Sequence, residues 1–308
     1  MRGVAQRQRA RYTARMAGKT VRVGLVQTRV GPNSSENIER TAAFVRDAAA
    51  RGAELVCLQE LFASRYFCQT QDPEAFSWAE SLDGPAVQAM GALARELQLT
   101  ILVPIFERRS PGLFHNTTVL VGPDGRLGVY RKMHIPDDPQ FMEKYYFAPG
   151  DLGFQAIQTP VGKVGPLICW DQWYPEAARV TALLGAQILL YPTAIGWLPS
   201  EKEADGAAQL SAWQTMQRAH AIANGVFVIA VNRVGQEGDA TTGIEFWGHS
   251  FIADPLGRIL CEAGQEEEVL VCDLDLGLLE ETRKWWPFFR DRRIDAYGAI
   301  NKRWAEEP

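Results

Sequence analysis

The sequence predicts an α/β fold in which two mixed β-sheets stack face to face with helices outside. Three observations carry this. Apolar, β-branched runs alternate with segments of helical periodicity, a pattern that gives sheets covered by helices. Two hairpins add antiparallel pairs to those sheets. The order strand, helix, strand, helix, strand, hairpin also occurs twice, as a pseudo-repeat in pattern though not in letters. No Pro/Gly/Ser-rich linker divides the halves, so residues 20–300 read as one domain.

The elements follow in order. Residues 21–28 (VRVGLVQT) are a buried strand, and 36–51 have apolar positions at helical spacing until Gly52 stops them. ELVCLQE (54–60) is a strand ending in an acid. A helix over 84–97 leads into the strand at 100–108. NTTVLVG and RLGVYRK then form a hairpin turning at Pro123-Asp124-Gly125. The second half opens with KVGPLICWD (163–171), a strand ending at a cysteine. A helix at 175–184, a strand at 187–194, a helix at 206–224 and a strand at 226–234 follow. Residues 249–263 make a second hairpin at Asp254-Pro255-Leu256-Gly257, and VLVCDLDL (269–276) closes the core. The tail at 285–308, with aromatics and arginines concentrated in 285–298, suits either a subunit contact or packing on its own surface.

Composition narrows the function. The 308 residues are 46% apolar and 22% charged, which suits a soluble globular chain. The net charge of -5 argues against a nucleic-acid partner. There is no apolar run of 18 residues and hence no membrane span. Five cysteines without a C-x-x-C pair suggest neither a disulfide framework nor a zinc knuckle, and fit a reducing cytoplasm. The first 19 residues carry Arg2, Arg7, Arg9, Arg11, Arg15 and Lys19 against no acid. They read as a disordered basic leader, with a targeting or nucleic-acid arm as the alternative and Met16 as another candidate start. The four histidines, at 115, 134, 220 and 249, show no metal-ligand spacing. His134 reads as a loop anchor near Lys132. Neither a G-x-G-x-x-G nor a P-loop is present, so nucleotide binding is unsupported.

Glu60, Lys132 and Cys169 each lie at or just after the C-terminal end of an expected strand. In open α/β sheets ligands gather outside those ends. Each also has a plainer reading. A cysteine after apolar residues is ordinarily a core residue, and Cys57 looks nearly the same. Glu60 would otherwise be a solvated strand cap, and Lys132 a surface lysine. Read together, they make a thiol nucleophile, a base to take its proton and a cation to hold an oxyanion. Glu143 follows a turn-rich loop, Ile135 to Pro139, and is placed to orient the lysine or handle a substrate proton.

At these residues the chain resembles the nitrilase superfamily of carbon–nitrogen hydrolases. Leu58-Gln59-Glu60-Leu61, Tyr130-Arg131-Lys132-Met133-His134-Ile135-Pro136 and Ile168-Cys169-Trp170-Asp171 carry the resemblance, which covers about residues 20–300 in the same order. It implies a four-layer αββα sandwich with Glu60 as general base, Lys132 as oxyanion stabiliser and Cys169 as nucleophile. Glu143 would be a second glutamate, and the Trp170 backbone N–H would complete the oxyanion hole. The family works without metal or organic cofactor, on small molecules, and commonly as homo-oligomers.

Residues 169–179, Tyr191 to Gly196 and Phe147-Ala148-Pro149-Gly150-Asp151 are most like a branch acting on a carbamoylated diamine. After the nucleophile, Asp171 and Trp173 suit a cation better than a carboxylate. The chain departs from that branch at Trp197-Leu198-Pro199, where Ser-Glu-Pro is expected. Leu198 cannot grip an amine, which leaves Glu201, Glu203 or Trp197 to do so. The rival readings are an amidohydrolase for another carbamoylated amine or ω-amide, and a non-catalytic binding protein on the same scaffold.

Overall fold

The structure is a computed structural model and describes residues 19–306. The expectation of a disordered basic leader falls almost wholly outside these residues. In chain order the strands of the first half are β1 (Thr20–Gln27), β2 (Leu55–Leu58), β3 (Thr100–Ser110), β4 (Leu113–Gly122) and β5 (Gly125–Arg131). Helices α1 (Ser34–Ala50) and α2 (Pro85–Leu97) lie between them. The second half holds β6 (Ile157–Thr159), β7 (Gly162–Pro166), α3 (Pro175–Leu183), β8 (Ile188–Pro192), β9 (Gly196–Trp197), α4 (Pro199–Asn224) and β10 (Phe227–Val231). Then come β11 (Val234–Glu237), β12 (Ile244–Trp247), β13 (Phe251–Ala253), β14 (Ile259–Glu262), β15 (Glu268–Asp275) and α5 (Gly277–Trp285).

The strands form two six-stranded sheets, ordered β15-β1-β2-β3-β4-β5 and β14-β13-β10-β8-β7-β6. The repeat in pattern is a repeat in topology. β1, β2 and β3 pair in parallel and β4 and β5 follow antiparallel; β7, β8 and β10 pair in parallel and β13 and β14 follow antiparallel. β15 crosses back to pair with β1, Leu25 opposite Leu270, so the last strand ties the second half to the first. A small third sheet, β11-β12-β9, was not expected, because its strands are two to four residues long.

The strand period of two decides which sheet face meets which layer. Val23, Leu25, Leu55, Cys57, Leu102 and Leu120 point one way and share a core with Ile188, Leu190 and Ile229 of the second sheet. Their alternates Val26, Val56, Leu58, Ile101 and Val103 point the other way, against Val45 and Ala48 of α1 and Met90 and Leu93 of α2. Ala177 and Ala182 of α3 and Trp213 and Ala221 of α4 pack on the second sheet. This is the helix–sheet–sheet–helix sandwich expected. α1 starts where the Asn33 side chain accepts from the Ser35 and Glu36 amides. α2 starts with Pro85 in its first turn and ends at Gln98 in the left-handed region.

Two boundaries differ most from the sequence expectation. α4 begins at Pro199, seven residues early, because its first turns are exposed and charged and show no apolar stripe. Pro199 and Glu201 in the first turn were the start signals. The strand expected over 163–171 stops at Pro166, and Cys169–Trp173 forms a 3₁₀ turn. The Asp171 carboxylate folds back to accept the Ile168 amide at 2.9 Å, and Cys169 has φ +40°, so the extended ladder cannot continue.

Among the described residues no helix is long and apolar enough to cross a membrane. The tail forms short turns and leaves Trp285, Ile294, Ile300 and Trp304 exposed.

Candidate active site

Glu60 lies two residues beyond β2, Lys132 one beyond β5 and Cys169 three beyond β7. β2 and β5 belong to one sheet and β7 to the other, so the sandwich brings the thiol to the carboxylate and ammonium across the interface between sheets. Glu143 opens a 3₁₀ turn in the loop after Lys132. The backbone bends where it presents these groups. Leu61, directly after Glu60, has φ +51°, and Cys169 itself sits in the left-handed region, which non-glycine residues seldom adopt.

Lys132 is fully buried and holds two carboxylates at once. Its Nζ lies 2.9 Å from Glu60 Oε1 and 2.6 Å from Glu143 Oε2. Asn116 donates a second hydrogen bond to Glu60 Oε1 at 2.7 Å, and the Tyr66 hydroxyl donates to Glu143 Oε1 at 2.8 Å. Glu60 Oε2 is buried and bonded to nothing among the described residues, so it is the carboxylate oxygen still able to accept a proton. The Cys169 thiol donates weakly to the Ala194 carbonyl at 3.9 Å.

Two carboxylates and one ammonium leave a net negative charge in a dry site. Burial alone would depress Lys132, but Glu143 and Glu60 outweigh it and hold it an ammonium well above its ordinary range. Burial lifts Glu143 to about 7, with the Glu60 charge adding and Lys132 opposing. Burial also pushes the Cys169 thiol well above its usual value; Glu60 adds to this and Lys132 pulls the other way. The resting sulfur is therefore a thiol.

Cys169 and Glu143 open onto a cavity of about 470 Å³, also lined by Trp170, Trp173, Glu201 and Trp247. That volume suits a small-molecule ligand. A larger cleft of about 840 Å³, lined by Asn33, Trp78, Glu80 and Phe106, lies on the α1–α2 side. It contains none of the four converging residues, so size is a poor guide to the chemistry here. Trp170 lies in the first turn of the 3₁₀ segment, where helical amides are left without intrahelical acceptors and can hold an oxyanion. Among the described residues no group of three or more His, Cys, Asp or Glu is arranged to hold a metal ion.

Residues 22–284 match the family model for carbon–nitrogen hydrolases. The chain belongs to the carbon–nitrogen hydrolase family. An N-carbamoylputrescine amidase from Solanum lycopersicum is 43% identical over 92% of this chain and 95% of its own length. A citrullinase from Francisella tularensis is 38% identical over 92% and 99%. A solved carbon–nitrogen hydrolase from Helicobacter pylori G27 superimposes with TM-score 0.90 at 46% identity, covering 93% of this chain and all of that one.

Not every residue expected to touch substrate in this hydrolase faces the cavity. Trp173 and Glu201 do. Asp171 does not. It is fully buried, and its oxygens accept from the Tyr130 hydroxyl at 2.7 Å, the Ile168 amide at 2.9 Å and the His134 amide at 3.1 Å. His134 Nδ1 lies 2.7 Å from the same carboxylate. Asp171 thus ties the loop after Lys132 to the turn carrying Cys169, and His134 is the loop anchor in that tie. Trp197 is also turned away. Its indole donates to Gly206 O at 2.9 Å, and Lys202 Nζ already covers the ring at 4.8 Å, so the cation it boxes belongs to the chain itself. Glu203 is exposed on α4 and does not line the cavity.

Other residues of the hydrolase's site escaped sequence reasoning. Asn116 and Tyr66 sit mid-strand and mid-loop, and no local pattern marks them. Arg233 follows β10, and the rule that singled out Glu60, Lys132 and Cys169 would have found it too. Its guanidinium donates to the Glu60 carbonyl at 2.6 Å and the Leu61 carbonyl at 3.0 Å.

The Phe147-to-Asp151 motif also gains a physical meaning. The Gly150 amide donates to Lys132 O at 2.8 Å, and a Cβ on Gly150 would meet Arg131 O at 2.1 Å. Asp151 pairs with Arg131, which in turn grips Glu107 with two bonds of 2.6 and 2.7 Å. The motif clamps the strand end that carries Lys132. Gly150→Ala should cost about 1–3 kcal/mol through overpacking against backbone. Thermal melts would register that loss, and a lower kcat at nearly constant KM would show that Lys132 has moved. An unchanged melt and kcat would mean the clamp has no such role.

Proposed function

We propose that this hydrolase cleaves the ureido bond of N-carbamoylputrescine, releasing ammonia, carbon dioxide and putrescine through a thioester on Cys169. The charge of the cavity supports this substrate. Asp138, Glu143 and Glu201 line it together with Trp173 and Trp247, and among the described lining residues there is no Arg or Lys. Such walls favour a cationic tail and disfavour the carboxylate of citrulline or of an ω-amide acid.

In the mechanism, Glu60 takes the thiol proton as sulfur attacks the ureido carbon. The carbonyl oxygen becomes an anion held by the Lys132 ammonium and the Trp170 amide. Glu60 returns its proton to the departing amine, and ammonia leaves. The N-aminobutyl carbamoyl group remains on sulfur. Glu60 then deprotonates water, which attacks the thioester, and the sulfur leaves with that proton. The freed carbamate loses carbon dioxide to give the diamine. One hard displacement becomes two easier ones. Glu143 keeps Lys132 aimed and contributes a carboxylate to the cavity wall. The exposed aromatic tail suits contact with a second copy of the chain, and five unpaired thiols suit a cytoplasmic setting.

The test is ammonia release from N-carbamoylputrescine beside N-carbamoyl-β-alanine, with intact mass taken during turnover. The diamine ureide is expected to be preferred, with an N-aminobutyl carbamoyl adduct on Cys169, and Cys169→Ala to lose activity by about 10⁴-fold or more. Full turnover by Cys169→Ala, or preference for the acid, refutes the proposal.

A further inference from the structure

We propose that Cys261 and Cys272 form a redox modification site, a pair of facing thiols that a hydroperoxide converts to a disulfide joining the two sheets. Neither residue lines the cavity of Cys169, and the site does not depend on which ureide is the substrate.

Strand register brings the two sulfurs together. Ile229, Ile252 and Cys261 are aligned across β10, β13 and β14, so their side chains share one face of the second sheet. Leu55, Val23 and Cys272 are aligned across β2, β1 and β15 and share one face of the first sheet. Ile229, Val23 and Leu55 belong to the core between the sheets. The two cysteines therefore end two inward-facing rows, one from each sheet, and both pack against that core. β14 and β15 are edge strands on the same side of the sandwich. They approach within 8 Å, Cα to Cα, and a disulfide spans up to about 7 Å. The Cys261 thiol donates to the Cys272 sulfur.

Both thiols are half-buried, whereas Cys57 and Cys68 are sealed in the core. A small oxidant reaches the pair from the sheet edge without unfolding the chain. The bond from Cys261 holds the Cys272 thiol below its ordinary range, against partial burial and the Asp273 charge. The thiolate is the reactive form, so Cys272 acts first. Its sulfur attacks one oxygen of hydrogen peroxide and the O–O bond breaks. The other oxygen leaves as hydroxide, which takes up the proton that Cys272 lost, and Cys272 becomes a sulfenic acid. The Cys261 sulfur then attacks the Cys272 sulfur. The S–S bond forms, the S–O bond breaks, and water leaves with the Cys261 proton. The two thiols lose two electrons and the peroxide gains them. In a reducing cytoplasm such a bridge is transient.

The ring closed by this bond holds the crossover from the second sheet to the first. Gln27 Nε2 already donates to Gly264 O at 2.9 Å and Glu266 O at 2.8 Å, and the His249 amide donates to Gly264 O at 3.0 Å. The crossover is thus fixed in the folded chain, and the bridge constrains mainly the unfolded one.

The experiment treats the full chain with hydrogen peroxide, alkylates the remaining thiols and digests with a glutamyl endopeptidase. That enzyme cuts after Glu262 and after Glu266, Glu267 and Glu268, between the two cysteines. Their fragments should stay joined, at a mass about 2 Da below the sum of the two thiol forms, and should separate in dithiothreitol. Tm of the treated protein should rise by about 3–8 °C, reversibly in dithiothreitol. Cys261→Ser and Cys272→Ser should each abolish that rise. If a serine variant fails to fold, the wild-type digest decides alone. Peroxide that oxidises Cys169 while Cys261 and Cys272 remain alkylated and unlinked overturns the proposal. So does a bridge from either cysteine to a different one.

Discussion

Lys132→Met is expected to abolish turnover and to weaken the fold in a pH-dependent way. Removing a donor aimed at a developing oxyanion ordinarily costs about 10²–10³-fold in kcat. The loss here should be larger, because the same ammonium holds Glu60 at 2.9 Å and Glu143 at 2.6 Å. Without it, two carboxylates remain buried with no cation between them. Breaking a buried pair on one side is typically worth about 3–5 kcal/mol. The direction of the pH effect follows from Glu143, which burial has already lifted to about 7. A carboxyl raised above its unfolded value contributes stability below its ordinary range and loses it as pH rises through the folded value. Loss of Lys132 raises Glu143 further. The deficit of Lys132→Met should therefore be larger at pH 8 than at pH 6: above about 7 wild-type Glu143 ionises beside Lys132 while the variant's resists ionisation, and below about 7 Glu143 is protonated in both. Adding Glu143→Gln should recover part of the stability and none of the activity. Denaturant melts at pH 6 and 8, with ammonia release, would check this. A variant as stable as wild type at pH 8 and within tenfold in kcat would mean that Lys132 is neither the oxyanion donor nor the charge balance.

Much of this centre was legible because two rules act locally. The apolar, β-branched runs in VRVGLVQT and ELVCLQE mark strands, and a polar residue just past a buried strand has only the sheet end to occupy. That placed Glu60, Lys132 and Cys169 on sheet ends before any tertiary information. The repeated strand order was equally readable, and it became two sheets of matching topology. What failed was nonlocal. Asp171 follows the nucleophile and has the right charge for an amine, but its partners Tyr130 and His134 lie about forty residues away and claim both its oxygens. Trp197 has the right ring, but Lys202 and Gly206 already occupy it. The return of β15 to β1 pairs residues some 250 apart, and nothing in VLVCDLDL says which sheet it joins. Short strands such as β9 are made by their partners rather than by their own letters.

The same nonlocality makes Arg233 the residue whose loss should reach the site most strongly without its touching substrate. It is fully buried, with Nη1 2.7 Å from Glu237 Oε1 and Nη2 on the carbonyls of Glu60 and Leu61. Its guanidinium also lies 5.2 Å from the Phe246 ring centre. Glu237 in turn accepts the Tyr66 amide at 2.6 Å, and Tyr66 donates to Glu143. One ion pair thus fixes the backbone of Glu60 from one side and the partner of Glu143 from the other. Arg233→Met would strand Glu237 and leave the buried Glu60 carbonyl short of a donor, while the Leu61 carbonyl keeps only the Ser64 amide, a loss of about 3–5 kcal/mol by the rule for buried pairs. Leu61 holds a left-handed conformation that its neighbours must enforce, so releasing the Glu60 carbonyl and loosening the hold on Leu61 should let the Glu60 peptide relax. kcat should then fall more than KM rises, since Arg233 does not line the cavity. Arg233→Lys keeps the charge but cannot span the carbonyls and the carboxylate with one planar fork, and it should fall between Met and wild type. Arg233→Met with Glu237→Gln should regain stability without regaining kcat. If Arg233→Met melts and turns over like wild type, the base is held by its own strand end, and the ion pair is dispensable.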